Sequence, residues 1–90
     1  MVIMYVIMVY DVAVERVSMV LTVARKYLHW VQNSVLEGEI SEANLLRLQN
    51  ELSHIINKER DSIIFYTLRT TKYFTKQTLG RVKGDTETFI

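Results

Sequence analysis

Apolar residues fill positions 2–9 of the chain without interruption, Tyr10 extends the run, and Asp11 ends it. Val2, Ile3, Val6, Ile7 and Val9 are β-branched, with Met4, Tyr5 and Met8 between them. Such a run, with no two-residue alternation, predicts a central strand covered on both faces. Over residues 14–28 the period lengthens. Val17, Leu21, Ala24 and Leu28 fall on one helical stripe, widened by Val20 and Val23, while Glu15, Arg16, Arg25 and Lys26 occupy the rest of the wheel, which predicts an amphipathic helix. Residues 30–39 return to aromatic and β-branched character with polar residues interleaved, a second strand with Gly38 at its bend or exit. Ser41 is placed to cap a second helix, with Glu42 in its first turn and Leu45, Leu48, Leu52, Ile55 and Ile56 on its stripe. Residues 61–68, with the apolar core Ile63, Ile64, Phe65 and Tyr66, predict a third strand buried on both sides. Residues 73–79 read as a more polar edge strand, and residues 86–90 offer a short fifth.

The order strand, helix, strand, helix, strand, strand is a near variant of the split β-α-β arrangement. It predicts an α+β, ferredoxin-like sandwich, an antiparallel sheet with two helices on one face. Two helices cover one face only, yet the first and third strands are apolar on both. The economical cover for the second face is another copy of the sheet, packed about a two-fold axis, so a homodimer through that face is expected. Residues 80–90, ending in Phe89 and Ile90, either pair with the partner subunit's sheet edge or form a free tail.

Ninety residues make one domain, 1–90, near the lower end of the usual size range. With 49% hydrophobic residues and no Cys, the fold relies on packing; disulfides and a thiolate metal site are excluded, and a cytoplasmic location is expected. The opening run lacks a basic leader and a small-residue cleavage site, and is about half the length a membrane helix needs, so neither secretion nor a membrane span is expected. A formal charge of +1 does not by itself announce a nucleic-acid binder. Its distribution says more: no acid occurs between Ser62 and Gly84, where Arg69, Lys72, Lys76, Arg81 and Lys83 all fall. Doubled by a two-fold axis, this strip suits a duplex backbone read through its phosphates, although edge lysines also serve to discourage aberrant strand pairing. His29 and His54, expected at helix surfaces or ends, have no partner at ligand spacing, and Trp30 reads as core or dimer packing. Asp11, at the exit of a buried strand, is either a functional acid or a helix cap.

Four segments in order resemble the CRISPR-associated protein 2 family across essentially the whole chain: Tyr10-Asp11-Val12, the stretch from Trp30 to Glu39, Ser41-Glu42-Ala43, and Asp61-Ser62-Ile63-Ile64-Phe65-Tyr66. The resemblance implies a ferredoxin-like homodimer, a C-terminal strand swapped onto the partner sheet, and a magnesium-dependent nuclease acting on RNA or duplex DNA at the spacer-acquisition stage of prokaryotic immunity. The alternative it implies is a non-catalytic DNA-binding scaffold for the integrase, CRISPR-associated protein 1. It makes Asp11 the metal and catalytic residue, facing its copy across the two-fold axis, and puts Tyr10 and Arg16 with Arg69, Lys72, Lys76, Arg81 and Lys83 on the nucleic acid. One or two carboxylates with waters and substrate phosphates are an ordinary Mg2+ shell. The chain departs from many relatives in having Trp30 where a basic residue is common and Leu36 where an aromatic is common. It also has a single Arg16 where several basic residues often follow the aspartate. Glu15, one turn beyond Asp11, reads as solvated first-turn charge. Other modules of this architecture fit less well: no glycine lies within residues 11–16 to cradle a small ligand, and the basic-Gly-aromatic setting of an RNA-recognition domain is absent.

Overall fold

The computed structural model describes residues 3–70 and 73–81, without the side chains of residues 69, 70 and 73–76. Seven elements follow in order: β1 (Ile3–Asp11), α1 (Val14–Ala24), β2 (His29–Gln32), β3 (Val35–Ser41), α2 (Glu42–Ser53), β4 (Ser62–Thr70) and β5 (Tyr73–Gly80). The strands form one antiparallel sheet in the order β2-β3-β1-β4-β5, with β1 at its centre and β5 at an edge, as expected. The fold is α+β and ferredoxin-like.

The strand period decides what each residue of β1 meets. Met4, Val6, Met8 and Tyr10 point to one face and are buried, whereas Ile3 and Tyr5 on the other are exposed and Ile7 and Val9 half-buried. The buried face packs with Val20 and Ala24 of α1, Leu45, Leu48 and Leu52 of α2, Leu36 and Ile40 of β3, and Ile63 and Phe65 of β4. Both helices therefore lie on one side. The other side carries the odd-numbered residues of β1 with their cross-strand neighbours, Ile64, Tyr66 and Leu68 of β4 and Val35, Glu37 and Glu39 of β3. There the Tyr5 hydroxyl donates to the Glu37 carboxylate, which holds the phenol above its ordinary pKa.

Three expectations are corrected. Residues 30–39 do not form one strand: the chain reverses at Asn33 and Ser34, with Asn33 at φ 41°, and β2 folds back on β3 as a hairpin. Asn and Ser are residues that tight turns select, and Asn tolerates positive φ. The first helix ends at Ala24, not at Leu28. Arg25, Lys26, Tyr27 and Leu28 follow in tight turns whose N–H groups donate to Leu21, Val23 and Ala24, bending the chain into β2 while Leu28 still reaches the core. His29 accordingly lies on β2, and Trp30 is 49% exposed instead of packed in the core, its indole Nε1 donating to the Asn33 carbonyl at 3.0 Å. The second helix starts as expected, the Ser41 hydroxyl accepting from the Asn44 N–H at 3.2 Å. The expected segment 86–90 lies outside the described residues.

Candidate active site at the end of the first strand

Asp11 is the last residue of β1 and is exposed. It belongs to the odd-numbered set of β1, so it continues the stripe Ile3, Tyr5, Ile7, Val9 on the face away from the helices. Its cross-strand neighbour on β4 is Ser62, which in turn faces Gly80 of β5. Asp11 is not the cap of α1: that position is Ala13, extended at φ −58° and ψ 145°, with no side-chain capping bond of its own.

The open helix start is closed from elsewhere. Asp61, immediately before β4, has no solvent-exposed side-chain surface. Its Oδ1 accepts the Ala13 N–H at 3.0 Å and the Arg16 Nη2 at 3.0 Å, and its Oδ2 accepts Arg16 Nε at 2.5 Å and the Asn57 N–H at 2.8 Å. Fork-to-fork pairing of this kind gives geometric specificity as well as energy. The Arg16 guanidinium and the two backbone donors hold the carboxyl well below the usual range, at about 2, against the opposing cost of burial. Arg16 itself is raised above its usual pKa, chiefly by the same hydrogen bonds. The Asp61 backbone extends the junction: its N–H donates to the Asn57 carbonyl at 2.7 Å and its carbonyl accepts the Arg81 N–H at 2.8 Å. Gly80 makes that last turn possible. It sits at φ +90°, where a Cβ would fall 2.2 Å from the Asp61 carbonyl oxygen.

The residues expected at the site are distributed unevenly. Tyr10 points to the helix side, is buried, and its hydroxyl donates to the Asn33 carbonyl at 3.1 Å, tying the end of β1 to the β2–β3 turn. Arg16 turns inward to Asp61, with Nη1 at 3.4 Å from Glu15, so its guanidinium is engaged on all sides within the chain. Arg69 and Lys76 lie on the adjacent strands β4 and β5, Arg81 is exposed just beyond β5, and Lys72 and Lys83 lie outside the described residues. Asp61 itself had entered the sequence reading only as the start of a strand. Its sequence-level signals are an acid directly ahead of an apolar run and its place at the head of one of the four segments that carry the resemblance.

Among the described residues no group of three or more His, Asp or Glu side chains is placed to hold a metal ion. Asp11 is the exposed carboxylate that ends β1, whereas Asp61, beside it just before β4, is buried and taken up by Arg16 and backbone N–H groups. A single exposed carboxylate fits a hard cation that keeps most of its waters and shares substrate phosphates, and does not fit one that needs a protein cage. A depression on the open face, lined by Tyr5, His29, Val31, Glu37, Gly38 and Glu39, lies elsewhere. Tyr5 is six residues along β1 from Asp11, about 20 Å at the rise of a strand. No helix is long and apolar enough to cross a membrane among the described residues.

The comparisons with known proteins agree with this geometry. The family model described as CRISPR associated protein Cas2 matches residues 4–76. A CRISPR-associated endoribonuclease Cas2 from Dictyoglomus turgidum is 58% identical over 87 residues, 97% of this chain and 100% of the relative. One from Thermotoga maritima is 52% identical over 91% of this chain and 94% of its own length. A solved structure described as a crystal structure of cas2 superposes with a TM-score of 0.73 at 43% identity, covering 98% of this chain and 99% of that one. With the acid-terminated central strand and the two-helix, one-sided sheet already in place, these matches establish that the chain belongs to the Cas2 family of CRISPR-associated proteins.

Proposed function

We propose that this chain is a CRISPR-associated endoribonuclease of prokaryotic adaptive immunity, working in the cytoplasm as a homodimer in which two copies of Asp11 share a magnesium ion. The relatives' description as endoribonucleases supports the nuclease reading. The observation that carries the role of Asp11 is its place: an exposed carboxylate at the end of the stripe Ile3, Tyr5, Ile7, Val9, on the face the helices leave uncovered. Packing two such faces about a two-fold axis covers the apolar stripe, and an axis that runs along the strands, which this proposal requires, brings the Asp11 ends of both subunits to one side of the dimer. The two Asp11 carboxylates would hold the ion, which would supply an activated water and charge neutralisation at the phosphate. The protein's part is to hold two carboxylates where they accept that ion and to keep the backbone around them rigid. Arg69, Lys76 and Arg81, with Lys72 and Lys83, are the groups we assign to the phosphates of the bound strand or duplex. Tyr10 and Arg16, engaged within the chain, brace the strand end that carries Asp11.

A second reading is a non-catalytic scaffold for the CRISPR-associated protein 1 integrase, in which Arg69, Lys76 and Arg81 hold DNA through its phosphates. The two separate on one experiment. Wild type and Asp11→Asn are assayed side by side on matched RNA and duplex DNA across a magnesium and pH series, with integrase association measured in parallel. Magnesium-dependent cleavage by wild type that disappears in the variant, with association retained, is the expected result. A wild type that cuts neither substrate under any condition leaves the scaffold.

A further inference from the structure

The geometry points to Asp61 as a positioning residue for Asp11: with Arg16 it clamps the turn that follows Asp11 and thereby fixes the direction in which that carboxylate leaves the sheet. This inference rests on the assignment of Asp11 as the metal-binding acid. Asp61 does not touch the reacting atoms. It acts on the two residues between Asp11 and α1.

Three observations converge. The segment Asp11-Val12-Ala13 is held at one end by the β1–β4 ladder, through the pair Asp11 and Ser62, and at the other by Asp61 Oδ1 on the Ala13 N–H. Both anchors come from consecutive residues, 61 and 62, so the turn is pinned to a single rigid point on the neighbouring strand. Secondly, α1 has no side-chain cap of its own, so the distant carboxylate replaces one, while Arg16 in the first helical turn locks the same carboxylate by two nitrogens. A lysine could supply the charge but not the fork. Thirdly, the same residue holds the α2–β4 connection through Asn57 and the exit of β5 through Arg81. One buried side chain and its own peptide therefore fix the turn after Asp11, the loop before β4, and the start of the C-terminal segment relative to one another. Partners hydrogen-bonded directly to metal ligands cost about 10–100-fold in affinity or activity when removed, and the lower end of that range is taken as the size of effect expected for Asp61, which acts one turn further back.

The test uses the full-length chain in three variants, Asp61→Asn, Arg16→Lys and Leu48→Ala, the last a core truncation on α2 away from Asp11. All are measured at a temperature where denaturation curves show each to be folded. Readouts are the magnesium half-saturation of cleavage, the Mg2+-induced shift of the Asp11 amide by NMR, and hydrogen exchange at the Ala13 amide. Expected are faster Ala13 exchange and a magnesium half-saturation raised about tenfold or more in Asp61→Asn, a smaller change in the same direction in Arg16→Lys, and wild-type values in Leu48→Ala. If Asp61→Asn does not fold, Arg16→Lys carries the comparison alone. Normal magnesium dependence despite faster Ala13 exchange overturns the inference, as does a loss shared equally by Leu48→Ala, which would mark mere destabilisation. A wild type that binds Mg2+ at Asp11 without cutting refutes the nuclease and leaves the NMR titration to decide the clamp. A wild type whose Asp11 amide does not respond to Mg2+ refutes both.

Discussion

Acid should weaken this protein through Asp61 in a way that one substitution removes. The carboxyl titrates at about 2 in the folded chain against 3.8 for an ordinary aspartate. A depressed folded value means that the unfolded chain binds the proton first. The stabilisation is complete above pH 5 and is lost as pH falls through 3.8 toward 2. At about 1.4 kcal/mol per tenfold difference in proton affinity, the loss is about 1 kcal/mol by pH 3 and about 2 kcal/mol by pH 2. Asp61→Asn cannot titrate. It will be less stable than wild type at pH 6, because Arg16, 18% exposed, then keeps only the exposed Glu15 carboxylate as a counter-charge at 3.4 Å. The gap between the two proteins should then narrow by about 2 kcal/mol between pH 5 and pH 2. Glu51, whose pKa is also lowered by Tyr27 and Lys26, is present in both proteins and cancels in the difference. Urea denaturation at a single fixed protein concentration, at pH 6, 5, 4, 3 and 2, measures it. A gap that stays constant to within about 0.5 kcal/mol across that range would refute the assignment of Asp61 as a buried, ionised partner of Arg16.

Two further outcomes follow from other parts of the fold. Ile7→Arg places a charge in the middle of the uncovered stripe and should convert a dimer into a monomer by sedimentation while leaving the far-ultraviolet circular dichroism unchanged; a wild type that sediments as a monomer at micromolar concentration removes the shared-ion reading altogether. Gly80→Ala must either leave φ +90° or displace the Asp61 carbonyl, and should cost at least about 1–2 kcal/mol in urea denaturation; a loss below about 0.5 kcal/mol would show that the turn relaxes freely.

Much of this architecture is written locally and is therefore legible along the chain. The uninterrupted run ahead of Asp11 marks the central strand, the spacing of Leu45, Leu48 and Leu52 marks the buried side of α2, and Ser41 caps that helix through a neighbour three residues away. Counting covered faces also anticipated an apolar stripe of β1 on the side away from both helices. The β2–β3 reversal was missed because residues on both sides of Asn33 and Ser34 share strand character, though the two turn-forming residues carried the signal. Asp61 was missed for a different reason. Its partners Ala13 and Arg16 are 48 and 45 residues away, and nothing in the neighbourhood of an aspartate says that a distant arginine will reach it. The same limit applied to Tyr10 and Arg16. The family resemblance assigned both to nucleic acid, and the contacts each makes within the chain, with the Asn33 carbonyl and with Asp61, depend on strand parity and tertiary approach.

The central position of β1 also shapes how the chain must come together during synthesis. The strongly apolar β1 is made before both of the strands that pair with its edges, β3 from residue 35 and β4 from residue 62. Until β4 has followed, a sticky, unpaired template is exposed to other nascent chains, and pairing across so wide a gap is intrinsically slow. Translation speed and chaperone supply, alongside the stability of the finished molecule, should therefore govern how much of this protein a cell recovers in usable form.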